Sequence, residues 1–182
     1  MTLAGSETVA EKNEMIPWAA KEVWGQVVLS LEKTIAAMGQ KTAGIRRQAE
    51  QICQGYGELD VVLERVCLES CPTCIDVCCT RATVWYDLPD LLVIYLNTGT
   101  LPKRQIYRHP DHSCCNLTPA GCRLSRSYRP FICTWYICPD QQLILRRLVN
   151  RSGKELTVLR TINAIQTTRK ELQQAYINTL CD

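Results

Sequence analysis

The chain is 182 residues long, the size of one ordinary domain and enough to bury a core. Lysine and arginine number 21 against 18 aspartates and glutamates, and the net charge of +3 excludes both a uniformly basic nucleic-acid binder and an acidic tail. A hydrophobic content of 46% with 21% charged residues excludes a disordered or collagen-like chain, and no apolar run reaches the roughly 18 residues that a membrane helix needs.

The first fifteen residues contain Glu7, Glu11 and Glu14 and no apolar stretch, so no secretory leader is expected and the expected compartment is the cytoplasm. From Pro17 to Met38 the residues Trp18, Val23, Trp24, Val27, Val28, Leu31, Ile35 and Met38 recur at three- and four-residue steps. This predicts an amphipathic helix opened by Pro17 and stopped by Gly39. A second helix is predicted from about Thr42 to Cys53. A third is predicted beyond Gly55-Tyr56-Gly57, running through Val62, Val66 and Ser70. Asp87 is placed to cap a helix over Leu88–Asn97, with Gly99 as its stop, and a further helix is predicted over Pro139–Val149. Ser152-Gly153-Lys154-Glu155 has the form of a capping box. It precedes Leu156, Leu159, Ile162, Ile165, Leu172, Tyr176 and Leu180, the stripe of a long amphipathic helix. No stretch alternates as a half-buried strand does.

Between Cys67 and Cys138 the texture changes. Pro72, Pro89, Pro102, Pro110, Pro119 and Pro130 fall in this window, together with ten of the twelve cysteines. The expected architecture is mainly α and a single domain. Helical N-terminal (1–66) and C-terminal (139–182) parts flank an irregular, cysteine-rich metal-binding centre at 67–138. Charge is uneven as well: residues 1–102 carry net −5 and residues 103–160 carry net +8.

Clustered thiols in a reducing compartment bind metal or do chemistry, whereas a cystine framework belongs to secreted chains. The first group is Cys67, Cys71, Cys74, Cys78 and Cys79; the second is Cys114, Cys115, Cys122, Cys133 and Cys138. Four thiols within nine residues of a turn-prone segment, Cys71 to Cys79, have no packing rationale and read as metal ligands. Cys122 and Cys133 stand beside the turn signals Pro119-Ala120-Gly121 and Arg129-Pro130 and read the same way. Of the adjacent Cys114 and Cys115, one is expected to face a tetrahedral centre. Cys67 and Cys138 are left open between ligand and core, and Cys53 and Cys181 read as small core hydrophobes. A thiolate-only donor set favours zinc or iron–sulfur iron over magnesium, calcium or manganese. With only His109 and His112 in the chain, both reading as surface polar residues, a two-cysteine, two-histidine finger fits poorly.

The run Cys71-x2-Cys74-x3-Cys78-Cys79, followed by a cysteine pair, Gly121-Cys122 and Arg129-Pro130-x2-Cys133, resembles the YkgJ-type cysteine-cluster family. That family is described as zinc- or iron-chelating, often as iron–sulfur, and includes the flagellin lysine N-methylase group. The resemblance covers about residues 67–138. Here the step from Cys74 to the double cysteine is one residue longer than the family's usual form. Arg123-Leu124 stands where Ile-Tyr is usual, and the Arg-Pro-x2-Cys element is intact. Cys67-x3-Cys71-x2-Cys74 also has the spacing of radical S-adenosylmethionine enzymes. Thr73 replaces the usual aromatic, however, a helix precedes the motif, and the chain is too short for a βα barrel.

A four-thiolate zinc or an all-cysteine 4Fe-4S centre carries a net charge of about −2, so its burial calls for positive charge and hydrogen bonds nearby. Arg123, Arg126 and Arg129, between Cys122 and Cys133, are placed to answer it, and donors to cluster sulfur raise a reduction potential. The expectation is therefore a metal-centre protein, iron–sulfur or zinc, serving electron transfer or an accessory modifying reaction on a protein partner or substrate that the sequence does not identify. No dinucleotide fingerprint or P-loop accompanies the cysteines. The alternatives are a zinc-stabilised interaction module whose basic half docks an acidic partner, and a thiol redox switch. Nucleic acid is disfavoured: the +8 segment lacks a reading motif, and Trp135-Tyr136 is expected to pack rather than stack on bases.

Overall fold

The computed structural model describes residues 8–149 and 155–181. Its elements in chain order are α1 (Val9–Glu14), α2 (Lys21–Met38), α3 (Ala43–Ser70), α4 (Cys78–Arg81), α5 (Leu88–Thr98), a two-stranded hairpin β1 (Leu117–Thr118) and β2 (Gly121–Cys122), α6 (Phe131–Trp135), α7 (Pro139–Val149) and α8 (Glu155–Cys181). The fold is mainly α, as expected. Among the described residues no helix is long and apolar enough to cross a membrane.

The two longest helices form the frame. α3 has 28 residues, about 42 Å at 1.5 Å per residue, and α8 runs antiparallel along it. Gly55 meets Thr161 and Ile165, Glu58 accepts from Thr161 Oγ1, and Tyr56 lies beside Arg169. The sequence predicts two helices separated at Gly55-Tyr56-Gly57, but α3 continues through that segment. The reason is packing. A Cβ on Gly55 would stand 2.8 Å from Ile165 Cγ1, so the glycine lets the two helices close. Tyr56, 2% exposed, stacks against Phe131 with ring centroids 6.4 Å apart. Burial there outweighs the ~1 kcal/mol by which a glycine disfavours a helix interior.

α5 passes beneath this pair, apolar on nearly all sides, with Leu91, Leu92, Val93, Ile94 and Leu96 buried, as befits a central helix. Its ends follow the sequence. Asp87 and Asp90 form a capping box, and Gly99, at φ 71°, closes the C-terminus by donating to Tyr95 O. The α7 bounds are those predicted. α2 starts at Lys21, later than predicted, because the chain turns at Ile16–Ala20 with Trp18 at φ 59°. The Pro17 carbonyl is used instead to accept from Gln105 Nε2. Most of the expected capping box of α8, Ser152 to Lys154, lies outside the described residues. A short hairpin that no alternation in the sequence predicts is also present: Leu117 pairs with Cys122 and Thr118 with Gly121 across a Pro119-Ala120 turn.

One contiguous apolar core joins α2, α3, α5, α7 and α8 and extends to Ile106, Cys115 and Phe131 of the irregular centre. Polar groups fasten that centre to the frame. Buried Gln105 accepts from Tyr86 N and Ile106 N and donates to Tyr86 O and Pro17 O, so its amide is fully used. Asn13 exchanges two hydrogen bonds with the Arg108 backbone, and Trp24 Nε1 donates to Pro102 O at 2.9 Å.

Candidate metal centre

The thiols are delivered by short, strongly turned segments. α3 ends at Ser70 and a tight turn over Cys71–Thr73 follows, with Pro72 fixing its φ. After α4 the chain lies beside the second cysteine group: Cys114 N donates to Cys79 O at 2.8 Å. The buried Arg108 closes this junction, its guanidinium donating to Ala82 O and to His112 O. Cys115 N donates to Tyr107 O, Arg123 N to Asn116 O, and Arg123 Nε to Asn116 Oδ1. Pro130 then starts α6, which carries Cys133.

All twelve cysteines carry free thiols. Cys79 lies close enough to Cys78, Cys114 and Cys133 to feel their charge, and Cys133 feels Cys114, Cys122 and Cys78. Cys78, Cys79, Cys114, Cys122 and Cys133 therefore share one neighbourhood, supplied by three separate stretches of chain. Cys71 stands beside Cys67, one helical turn back on α3, with Gln141 of α7 donating to both sulfurs, and it is near enough to Cys78 for their charges to interact. Cys74 lines a separate surface cavity of about 310 Å³ with Glu69, Asp76, Asp140 and Arg147. Of the adjacent pair, Cys114 meets Cys79 and Cys133, while Cys115 is buried against the Tyr107 backbone. Cys138 stands at the start of α7, its N–H donating to Gln141 Oε1. Cys53 is half-buried on α3. Cys181 is exposed rather than in the core, because it closes the last turn of α8. Among the described residues, no three histidine, cysteine, aspartate or glutamate side chains stand together as a ready-made site for one metal ion.

Six of the sulfurs instead act on one another in three neighbouring pairs, Cys67 with Cys71, Cys78 with Cys79 and Cys114 with Cys115. When one thiol of a pair loses its proton, the S–H of its partner stabilises the thiolate, and the second proton is then held more tightly. Cys71 is lowered to about 6, by the Cys67 S–H first and then by Ser70, Gln141 and the charge of Arg129, against the pull of burial. Cys78 is lowered to about 7 by the Cys79 S–H and by backbone N–H groups at the start of α4. Cys115 is lowered to about 6 by the Cys114 S–H, then by the Tyr107 backbone and the charges of Arg123 and Arg104. Their partners Cys67, Cys79 and Cys114 are all raised. Cys133 has no such partner: burial, and then the charges of Cys114 and Cys122, push it up to about 12.

The three arginines differ in role. Arg126 is buried, its side chain 3% exposed; Nε donates to Asp60 Oδ1 at 2.8 Å, its charge favours the Cys67 thiolate, and Nη2 makes no hydrogen bond. Arg129 donates to Leu124 O and its charge reaches Cys71, while Arg123 sits beside Cys115. Trp135 and Tyr136 do not pack into the core as expected. They are 42% and 49% exposed and contact each other edge-on, because the five residues of α6 bury only Phe131 and Thr134.

Two features of the site have no counterpart among the sequence expectations. Arg108, whose charge favours the Cys114 thiolate, carried no local signal. The other is a buried ion network: Arg169 of α8 donates to Asp90 Oδ1 at 2.7 Å and to both oxygens of Asp87, with its guanidinium 4.7 Å from the Phe131 ring centre. Asp90 Oδ1 also accepts from Phe131 N, which anchors the start of the helix bearing Cys133. Its signal was Arg169 itself, a charge on the stripe between Ile165 and Leu172. Comparison with protein-family models, with curated proteins and with solved structures found no match.

Proposed function

We propose that the chain is a metal-centre protein in which Cys78, Cys79, Cys114, Cys122 and Cys133 supply the sulfurs for an iron–sulfur cluster, with zinc as the other metal this donor set suits. The observation that carries the reading is the meeting of free thiols from three distant stretches, fastened by the Cys114-to-Cys79 backbone bond and by Arg108. The chemistry of the donors fits a soft metal: they are reduced sulfurs, and one of them, Cys78, is lowered to about 7. Their positions fit less completely, since among the described residues no three of these side chains converge on one common point. Metal capture on this reading displaces the shared protons and draws the pairs inward, so binding is coupled to local ordering. The resemblance of residues 67–138 to the YkgJ-type family supports the same reading and favours iron–sulfur, serving electron transfer or an accessory modifying step. Exposed Ile132, Trp135 and Tyr136 beside Cys133 favour a protein partner, which a zinc-stabilised interaction module would also use.

The test is elemental and spectroscopic analysis of protein prepared anaerobically. Brown protein with broad absorbance near ~400 nm and matching iron and sulfide is expected. Colourless protein holding zinc would select the interaction module, and metal-free protein would refute both. Cys133→Ser is expected to remove most of the metal and Cys181→Ser none of it.

A further inference from the structure

The Cys67–Cys71 pair lies at the end of α3 and is not among the five sulfurs assigned to metal, though Cys71 is near enough to Cys78 for their charges to interact. The two residues lie at i and i+4, Cys67 in the last turn of α3 and Cys71 as its cap, with Cys71 N donating to Cys67 O. Helix geometry sets their Cα atoms about 6.2 Å apart, inside the span a disulfide bridges, and their Cβ atoms about 5–6 Å apart, so closing the bond draws in the last turn of α3 by about 1–2 Å. The side chains face a common donor: Gln141 Nε2 stands 3.4 Å from Cys67 Sγ and 3.6 Å from Cys71 Sγ, which holds the two sulfurs side by side. Arg126 lies against Cys67 and Arg129 adds positive charge at Cys71. Both thiols are half-buried and neighbour exposed Leu68 and Glu69, so a small oxidant reaches them.

We propose that Cys67 and Cys71 form a reversible dithiol–disulfide couple, oxidised by a peroxide and reset by a thiol reductant. One sulfur attacks a peroxide oxygen: the S–O bond forms, the O–O bond breaks, and the departing oxygen leaves as water with that thiol's proton. The second sulfur attacks the resulting sulfenic acid: the S–S bond forms, the S–O bond breaks, and a second water leaves with the other thiol's proton. Two electrons pass from the two thiols to one peroxide. Gln141 positions both sulfurs through its amide hydrogens. The couple does not rest on the metal reading, which uses other cysteines.

The experiment treats the full-length reduced protein with hydrogen peroxide, blocks free thiols with an alkylating agent and cleaves after glutamate. Cleavage after Glu69 separates Cys67 from Cys71, so their peptides remain joined only through a disulfide. A dithiothreitol-sensitive linked pair is expected in the wild type and in Cys74→Ser, and is lost in Cys67→Ser and in Cys71→Ser. Gln141→Leu is expected to slow its formation several-fold while far-UV circular dichroism stays unchanged. Persistence of a Cys67 linkage in Cys71→Ser would overturn the proposal. So would absence of the linked pair at peroxide doses that oxidise exposed Cys181. Protection of Cys71 from alkylation by added zinc, with Cys67 still reactive, would assign Cys71 to metal and overturn the pairing as well.

Discussion

At the scale of single residues, the centre is governed by shared protons. In the metal-free, reduced protein Cys71, Cys78 and Cys115 are lowered to between about 6 and 7 from the ordinary 9.0. Between those values and pH 9 the folded chain binds fewer protons at these sites than the unfolded chain, so stability rises with pH across that window. Above pH 9 the raised partners Cys67, Cys79 and Cys114 reverse the sign. An absorbance titration at ~240 nm is expected to show about two thiolates formed by pH 7 in folded protein and fewer than about one in urea. Asp90 works oppositely. Burial lifts its carboxyl to about 7 against the pull of Arg169, so the folded state binds the extra proton between about pH 4 and 7 and stability falls as pH rises through that range. Asp90→Asn retains an acceptor for Phe131 N and Arg169, and a flatter dependence of melting temperature on pH between 4 and 7 is expected.

At the scale of elements, glycine has two different meanings within one helix. Gly55 is the contact point of α3 with α8, where a Cβ meets Ile165 Cγ1 at 2.8 Å and Cδ1 at 2.9 Å. Gly57 is exposed, with nothing within 4 Å of where its Cβ would lie. Gly55→Ala is therefore expected to cost about 1–3 kcal/mol by overpacking, while Gly57→Ala stabilises by about 0.4–1 kcal/mol through helix propensity. Urea denaturation midpoints check both, and Gly55→Ala combined with Ile165→Val is expected to recover part of the loss. The same pair explains what the sequence made legible. Asp87, Gly99, Pro139 and the apolar stripe of α8 act through local geometry, and the elements they imply are present. Gly55 acts through a helix over a hundred residues away, so the tripeptide reads locally as a break. The irregular centre behaves likewise: the cysteine spacing marks where thiols gather. Which sulfur faces which depends on Arg108 reaching Ala82 and His112, on Gln141 reaching back to α3, and on Asp90 fixing Phe131. None of these has a spacing signature.

At the scale of the whole molecule, the frame and the centre are stabilised differently. α3, α5 and α8 bury Leu59, Leu91, Leu92 and Leu172 almost completely, each such side chain contributing about 1.5–3 kcal/mol. Much of the stretch from Cys71 to Cys138 has no such helix pairing, and it is tied down by single hydrogen bonds and buried ions. The uneven charge helps to join the two: Arg126 from the basic half reaches Asp60 and Glu64 on the acidic α3, an attraction that salt screens only partly because Arg126 is buried. A ligand that binds only the folded centre adds its binding free energy to the stability of the whole chain. If zinc at one hundred times its dissociation constant occupies this centre, the gain is about 2.7 kcal/mol, which for a chain of this size is an increase of roughly 5–11 °C in melting temperature. Calorimetry of the reduced protein with and without zinc is expected to show that increase. Proton release on binding is expected to accompany it, because the thiols kept protonated by pairing must give up their protons to the metal. Cys133→Ser is expected to abolish both; burial of an unpaired hydroxyl there costs the metal-free protein about 1–3 kcal/mol, so the zinc response is read against the variant's own metal-free melting temperature. An equal zinc response in the variant would place the metal away from the meeting point of the three stretches.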